Sequence, residues 1–252
     1  MTELALANAA TRLLGRTHVW WWDLPERTSP ADLALLGPTE RARLRRYRKA
    51  ADAAGYAATR AGARRALGSL LGIPAHEITL GRAACPGCAD PHHGPPRLER
   101  PDLPIAVSIS RTASRGVLAL RADTAVGIDI EALRTVGNVS DDHLAQMALT
   151  PAEREVLLDA APGPRRDRLF LRCWTRKEAV LKAVGLGLVG TELNRLETHP
   201  RTPGPVLIDH EYEGRATRWS VEDLDIGDRY AVAVARPHGP APSGTHIHAD
   251  VR

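Results

Sequence analysis

Two carboxylates stand two residues apart in the segment Val126-Gly127-Ile128-Asp129-Ile130-Glu131. Successive side chains of an extended strand alternate faces, so Val126, Ile128 and Ile130 turn to a core while Gly127, Asp129 and Glu131 share the opposite side. Like charges so placed repel unless a cation lies between them, and oxygen donors select Mg²⁺, with Mn²⁺ as its alternative, over zinc. Gly127 leaves space there for a ligand; the plainer reading is an exposed strand with two solvated acids. In a second segment, Cys173-Trp174-Thr175-Arg176-Lys177-Glu178-Ala179-Val180-Leu181-Lys182-Ala183, Trp174, Glu178 and Lys182 recur at helical spacing along one stripe. Glu178 and Lys182 also form an ordinary stabilising i,i+4 pair. A third cluster, Cys85-Pro86-Gly87-Cys88 followed by His92 and His93, has zinc-ligand types but no matching second C-x-x-C, so structural zinc is not expected. Cys173, beside Trp174 on a helix, reads as a buried small side chain.

The elements that carry these residues follow from pattern. His18 to Leu24, rich in tryptophan, reads as a strand ended by Pro25. A helix is predicted from Thr39 through Leu71, crowded at its start by Arg41, Arg43, Arg45, Arg46 and Arg48 and alanine-rich beyond. Residues 72–104 are broken by prolines into a turn-rich connection. Three consecutive antiparallel strands are predicted at 105–110, 116–120 and 125–131. Thr150-Pro151-Ala152-Glu153 is a helix start, a second helix covers 168–184 and stops at Gly185, and strands follow at 205–209 and 230–235. The last fifteen residues, rich in Pro, Gly and His, read as a frayed tail.

The 252 residues carry a net charge of +4, with 43% hydrophobic residues, an ordinary balance for a globular protein. Of 34 basic residues only Lys49, Lys177 and Lys182 are lysine, which draws attention to the two that flank or follow Glu178. No apolar run approaches the length of a membrane span, and the acidic amino-terminal start does not make a signal peptide, so a cytoplasmic protein is expected. The charge is too small for a nucleic-acid signature by itself, although the Arg41–Arg48 cluster keeps an anion-binding role open.

A strand reading G-I-D-I-E, followed some forty residues later by a helix reading W-x-x-K-E-A-x-x-K, resembles the signature of the 4′-phosphopantetheinyl transferase superfamily. The arginine-rich first helix, the proline-rich connection with His93-Gly94-Pro95-Pro96-Arg97 and the Ser108-Ile109-Ser110 strand follow in the order of its larger, two-lobed class, which modifies carrier proteins of secondary metabolism. The resemblance implies an α+β fold of two similar lobes, a pseudo-dimer, divided as residues 1–104 and 105–237. It implies transfer of phosphopantetheine from coenzyme A to a serine of an apo carrier protein by a monomer that needs no nucleic acid or membrane. By matched motif, Asp129, Glu131 and Glu178 would hold Mg²⁺, and Glu178, Lys182 and Glu153 would be catalytic. Arg43, Arg64, Arg97, Ser110, Arg111, Lys177 and Lys182 would bind coenzyme A. Two positions depart from the family pattern: Ser110-Arg111 stands for Ser-His, and Gly94-Pro95-Pro96 for Gly-Lys-Pro. Arg111 keeps a charge but cannot titrate near neutrality, and Pro95 cannot replace a lysine, a loss that Arg97 would cover.

Overall fold

The computed structural model describes residues 15–90, 94–122, 124–135, 143–187, 192–239 and 244–248. Ten strands form two sheets, one ordered β10-β1-β5-β4-β3-β2 and the other β6-β9-β8-β7. In the first are β1 (Arg16–Asp23), β2 (Thr79–Arg82), β3 (Pro96–Arg100), β4 (Ile105–Arg111), β5 (Arg115–Ala122) and β10 (Gly244–His248); in the second are β6 (Gly127–Ala132), β7 (Val206–Tyr212), β8 (Arg215–Asp223) and β9 (Tyr230–Pro237). The helices are α1 (Pro30–Ala34), α2 (Pro38–Leu44), α3 (Ala50–Leu71), α4 (His143–Ala148), α5 (Pro151–Asp159) and α6 (Pro164–Val184). Pairing is antiparallel except between β1 and β10.

Strand alternation produces four layers. Trp20, Trp22, Leu118 and Leu120 face Ala63, Ala66 and Leu67 of α3. Their neighbours Val19, Val117 and Ala119 face the second sheet, where Ile128, Ile130, Val232 and Val234 complete a shared core. The far side of that sheet, with Val221, Ala233 and Ala235, packs on Ala179, Val180 and Ala183 of α6. Each lobe is thus a sheet with a long helix on its outer face, the expected α+β plan.

The β4–β5 hairpin, which follows the expected cut at residue 104, belongs to the first sheet, because β5 pairs with β1 from His18↔Leu120 to Asp23↔Arg115, and β10 returns to the same sheet. The predicted third strand of that meander leaves for the other sheet as β6. The long first helix is also two: α2 ends near Arg45, and α3 begins after Lys49, whose backbone is extended. Like charges at Arg41, Arg45 and Lys49 fall at i,i+4 spacing and no apolar stripe runs through them. Part of the turn-rich connection forms β2 and β3, and part of the expected frayed tail is β10, aligned with β1 from Arg16↔Gly244 to Trp20↔His248.

Candidate active site

Asp129 and Glu131 stand on β6, the edge strand of the second sheet, and Glu178 and Lys182 on successive turns of α6. Strand and helix approach so closely at Gly127 that a Cβ there would lie 1.9 Å from the Ala179 carbonyl oxygen and 2.5 Å from the Ala183 nitrogen. Gly127 therefore seats the helix and does not open room for a ligand, as its sequence position had suggested. The free side of β6 meets β4: the Ile128 amide donates to Ser108 Oγ at 3.0 Å. Ser110 Oγ donates to Asp129 Oδ1 at 2.8 Å. Lys182 Nζ donates to the same oxygen at 2.5 Å and to Ser110 Oγ at 2.9 Å. Residues from both sheets and from α6 so meet at one point.

The acids are concentrated enough to alter one another's protonation. Burial first, then the charge of Asp129, pushes Glu178 up to about 7, with Glu131 adding to the rise and Lys182 opposing it. Glu131 is raised by burial and by Asp129, against Arg134, Lys182 and a hydrogen bond from Trp174. Asp129 Oδ2 is buried and has no hydrogen-bond partner among the described residues. An unmatched carboxylate oxygen beside two carboxylates that resist ionisation is a donor set suited to a hard divalent cation. Among the described residues, the group of three ligand types whose atoms lie within 4.8 Å of one another is a histidine cluster elsewhere. The acids are accordingly more widely spaced than in that cluster, with the Lys182 ammonium on Asp129.

The other sequence candidates divide. Arg111 points from β4 to the opposite side from Ser110, its guanidinium 5.8 Å from the Tyr47 ring centre and within 3.5 Å of the Tyr47 hydroxyl. Arg43 lies 5.6 Å from the Tyr56 ring centre, and the two tyrosines are 5.4 Å apart. These cations remain available to phosphate as a cation–aromatic cluster at the amino-terminal part of α3. The tyrosines were not singled out from sequence, although a protein with four tyrosines places two of them nine residues apart here.

Arg64, expected to grip phosphate, is buried, bonded to Glu40 at 2.8 and 3.1 Å and to the Ile78 carbonyl at 3.2 Å. Lys177 and Glu153 are likewise internal, paired at 2.6 Å with side chains 1% and 0% exposed. Lys177 also donates to the Leu193 carbonyl, while Glu153 closes the capping box of α5 with Thr150 and accepts from Thr198. The sequence expectation puts Lys177 on phosphate and Glu153 in catalysis; in the structure the two pair with each other inside the protein. Arg97 is exposed on β3 opposite Ala106, four residues from Ser110 and so about 13 Å along β4 at ~3.3 Å per residue, and its ionic neighbour is Asp102 at 3.8 Å. Pro95, at the position of the family's lysine, lies with Pro86 against Gly185, where α6 ends.

One anchoring residue inside the motif was missed. Arg176 is fully buried, gripping both Asp223 oxygens at 2.8 Å and the carbonyls of Thr198, His199 and Thr202. Its position on the helix face turned from the Trp174–Glu178–Lys182 stripe was the available signal. Cys173 is buried and its thiol pushed far up by burial, consistent with a packing residue. In the C-x-x-C segment Cys85 is buried and Cys88 exposed; His92 and His93 lie outside the described residues.

Known proteins resemble the part of the chain that holds the acids. Residues 125–235 match the profile of the 4′-phosphopantetheinyl transferase superfamily. Similarity extends beyond that span: the chain is 27% identical to the 4′-phosphopantetheinyl transferase HetI of Nostoc sp. over 229 residues, 89% of each chain. It is 29% identical over 221 residues to the L-aminoadipate-semialdehyde dehydrogenase-phosphopantetheinyl transferase of Homo sapiens, covering 80% of this chain and 68% of the human protein. A crystal structure of the Thermotoga maritima holo-[acyl-carrier-protein] synthase aligns at 23% identity and a TM-score of 0.31, over 46% of this chain and 63% of that one. Asp129, Glu131, Glu178 and Lys182 all lie within residues 125–235, the span that is similar to the 4′-phosphopantetheinyl transferase superfamily.

Proposed function

We infer that the protein transfers the 4′-phosphopantetheine arm of coenzyme A to a serine of an apo carrier protein and releases adenosine 3′,5′-bisphosphate. The observation that carries this reading is the meeting of Asp129, Glu131, Glu178 and Lys182 at the junction of β4, β6 and α6, with Asp129 Oδ2 unmatched. Asp129, Glu131 and Glu178 would hold Mg²⁺, or Mn²⁺ in its place, as hard oxygen ligands. When bound, the ion neutralises the pyrophosphate and the charge that grows on the leaving phosphate.

The chain's own groups do the rest. The carrier serine oxygen forms a bond to the β-phosphorus as the bond to the departing nucleotide phosphate breaks, and the serine proton passes to Glu178. Burial and its acidic neighbours raise that carboxylate to about 7 in the metal-free protein; to act as base beside the ion it would take the proton on the oxygen left uncommitted to the metal. Lys182, already within reach of Ser110 and Asp129, donates to the phosphate oxygens as a compact point charge. Ser110 holds Asp129 from the β4 side. Arg43 and Arg111, seated on Tyr56 and Tyr47, supply charge for the donor's outlying phosphate. We place the reaction in the cytoplasm and assign it to a monomer; among the described residues no helix is long and apolar enough to cross a membrane.

The direct experiment is mass spectrometry of an apo carrier domain incubated with coenzyme A, Mg²⁺ and the protein. A phosphopantetheine increment on the carrier serine, absent with Asp129→Ala, supports the reading. An unmodified panel of acyl, peptidyl and aryl carriers despite measurable coenzyme A binding would replace it with a regulatory coenzyme A-binding role.

A further inference from the structure

We propose that His18, His246 and His248 form a binding site for one borderline divalent transition-metal ion, zinc by its chemistry, which clasps the C-terminal strand to the body of the protein. The site is separate from the carboxylate cluster and does not depend on the transferase reading.

His246 and His248 are two residues apart on β10, so both project to one face of the strand. The parallel register sets His246 opposite His18 and His248 opposite Trp20, which brings the third imidazole in from β1. One ligand nitrogen from each of the three lies within 4.8 Å of the other two. His18 Nδ1 and His248 Nε2, 3.0 Å apart, share a hydrogen bond, and the ring planes lie 13°, 18° and 29° from one another. Ligands at about 2.0–2.1 Å from a tetrahedral ion stand roughly 3.3 Å from one another, so an ion would replace that hydrogen bond and turn the rings until their lone pairs converge.

The surroundings are those of a three-nitrogen site with an open position. His18 is buried, His248 half-buried and His246 exposed, which grades from a protein wall to solvent. Trp20 forms the floor, its ring 4.3 Å from His248 and nearly parallel to it. Imidazole nitrogens favour zinc, copper or nickel, whereas the Asp129 cluster offers only oxygen, so the two sites select different ions. Thr245 hydrogen-bonds Glu222 of β8 at 2.7 Å. The strand therefore touches both sheets, and a metal on its histidines would fix β10 over the edge of β1.

The test is titration of the untagged, full-length protein with Zn²⁺ and with Co²⁺ in excess Mg²⁺, followed by calorimetry and visible absorption. The expected result is one ion per chain, a cobalt spectrum of a low-coordinate nitrogen site, and slower proteolysis after residue 237 when zinc is bound. Affinity should fall about tenfold or more in His246→Ala, an exposed position whose change leaves the fold intact, and further in His246→Ala/His248→Ala. Cys85→Ser/Cys88→Ser and Asp129→Ala should retain binding. Less than one ion per chain, an octahedral cobalt spectrum, or binding that survives loss of both β10 histidines would each overturn the proposal.

Discussion

Lys182 holds the position a divalent cation would contest: its ammonium lies 2.5 Å from Asp129 Oδ1, one turn from Glu178. Lys182→Met should therefore raise Mg²⁺ affinity severalfold in the absence of coenzyme A, by removing a competing charge, while transfer falls by about 10²-fold or more for want of a phosphate donor. Calorimetry and carrier mass gain measure the two separately. Glu178 supplies a pH prediction. Its folded value of about 7 lies above the ordinary 4.5, so the folded protein binds the extra proton between those limits and stability falls as pH rises through that window. Thermal midpoints of the metal-free protein should decline from pH 4.5 to 7, the decline should flatten in Glu178→Gln, and Mg²⁺ should offset it. The gathering of Asp129, Glu131, Glu178 and Lys182 was readable because strand and helix periods fix which side chains share a face. The buried partners of Arg64, Lys177 and Glu153 were not: a charged side chain looks the same in sequence whether it faces solvent or Glu40, Thr198 or the Leu193 carbonyl.

The contact of β6 with α6 positions Asp129 and Glu131 against Glu178, and Gly127 makes it possible. Gly127→Ala would drive a methyl into the Ala179 carbonyl, and a loss of roughly 1–3 kcal/mol or more in urea unfolding is expected, with transfer reduced in the folded fraction as well. The Lys177–Glu153 pair ties α6 to α5 and to the segment around Thr198. Lys177→Met should cost about 3–5 kcal/mol by stranding a buried carboxylate, yet leave the KM for coenzyme A unchanged in protein that folds. A raised KM would return Lys177 to the donor site. At this scale the sequence was partly legible. α6, the α5 cap and strands β1, β4, β5 and β6 carry strong periodicity or start signals. β2 and β3 are short and sit among prolines, and β8 begins with exposed, polar Arg215-Ala216-Thr217-Arg218, so their strand character comes from pairing rather than pattern.

Two sheets joined face to face make the molecule one folding unit despite its two lobes. Val19, Val117 and Ala119 of the first share a core with Ile128, Ile130 and Val232 of the second. Arg115 stacks between Trp21 and Tyr230 at 4.2 and 4.8 Å, across the same junction. The general plan could be anticipated; which sheet the β4–β5 hairpin joins could not, since that is set by the long-range pairing of β5 with β1. A few of the arginines are internal: Arg64 and Arg176 fasten loops and helices, whereas Arg43 and Arg111 lie on the tyrosine pair. The proposed group transfer rests on the acids of β6 and α6. Its most direct measurement compares the native protein with Glu178→Gln for coenzyme A-dependent mass gain on an apo carrier, with circular dichroism establishing that both are folded. The expected result is modification by the native protein and a loss of about 10²–10³-fold or more in the variant; equal rates from the two folded proteins would contradict it.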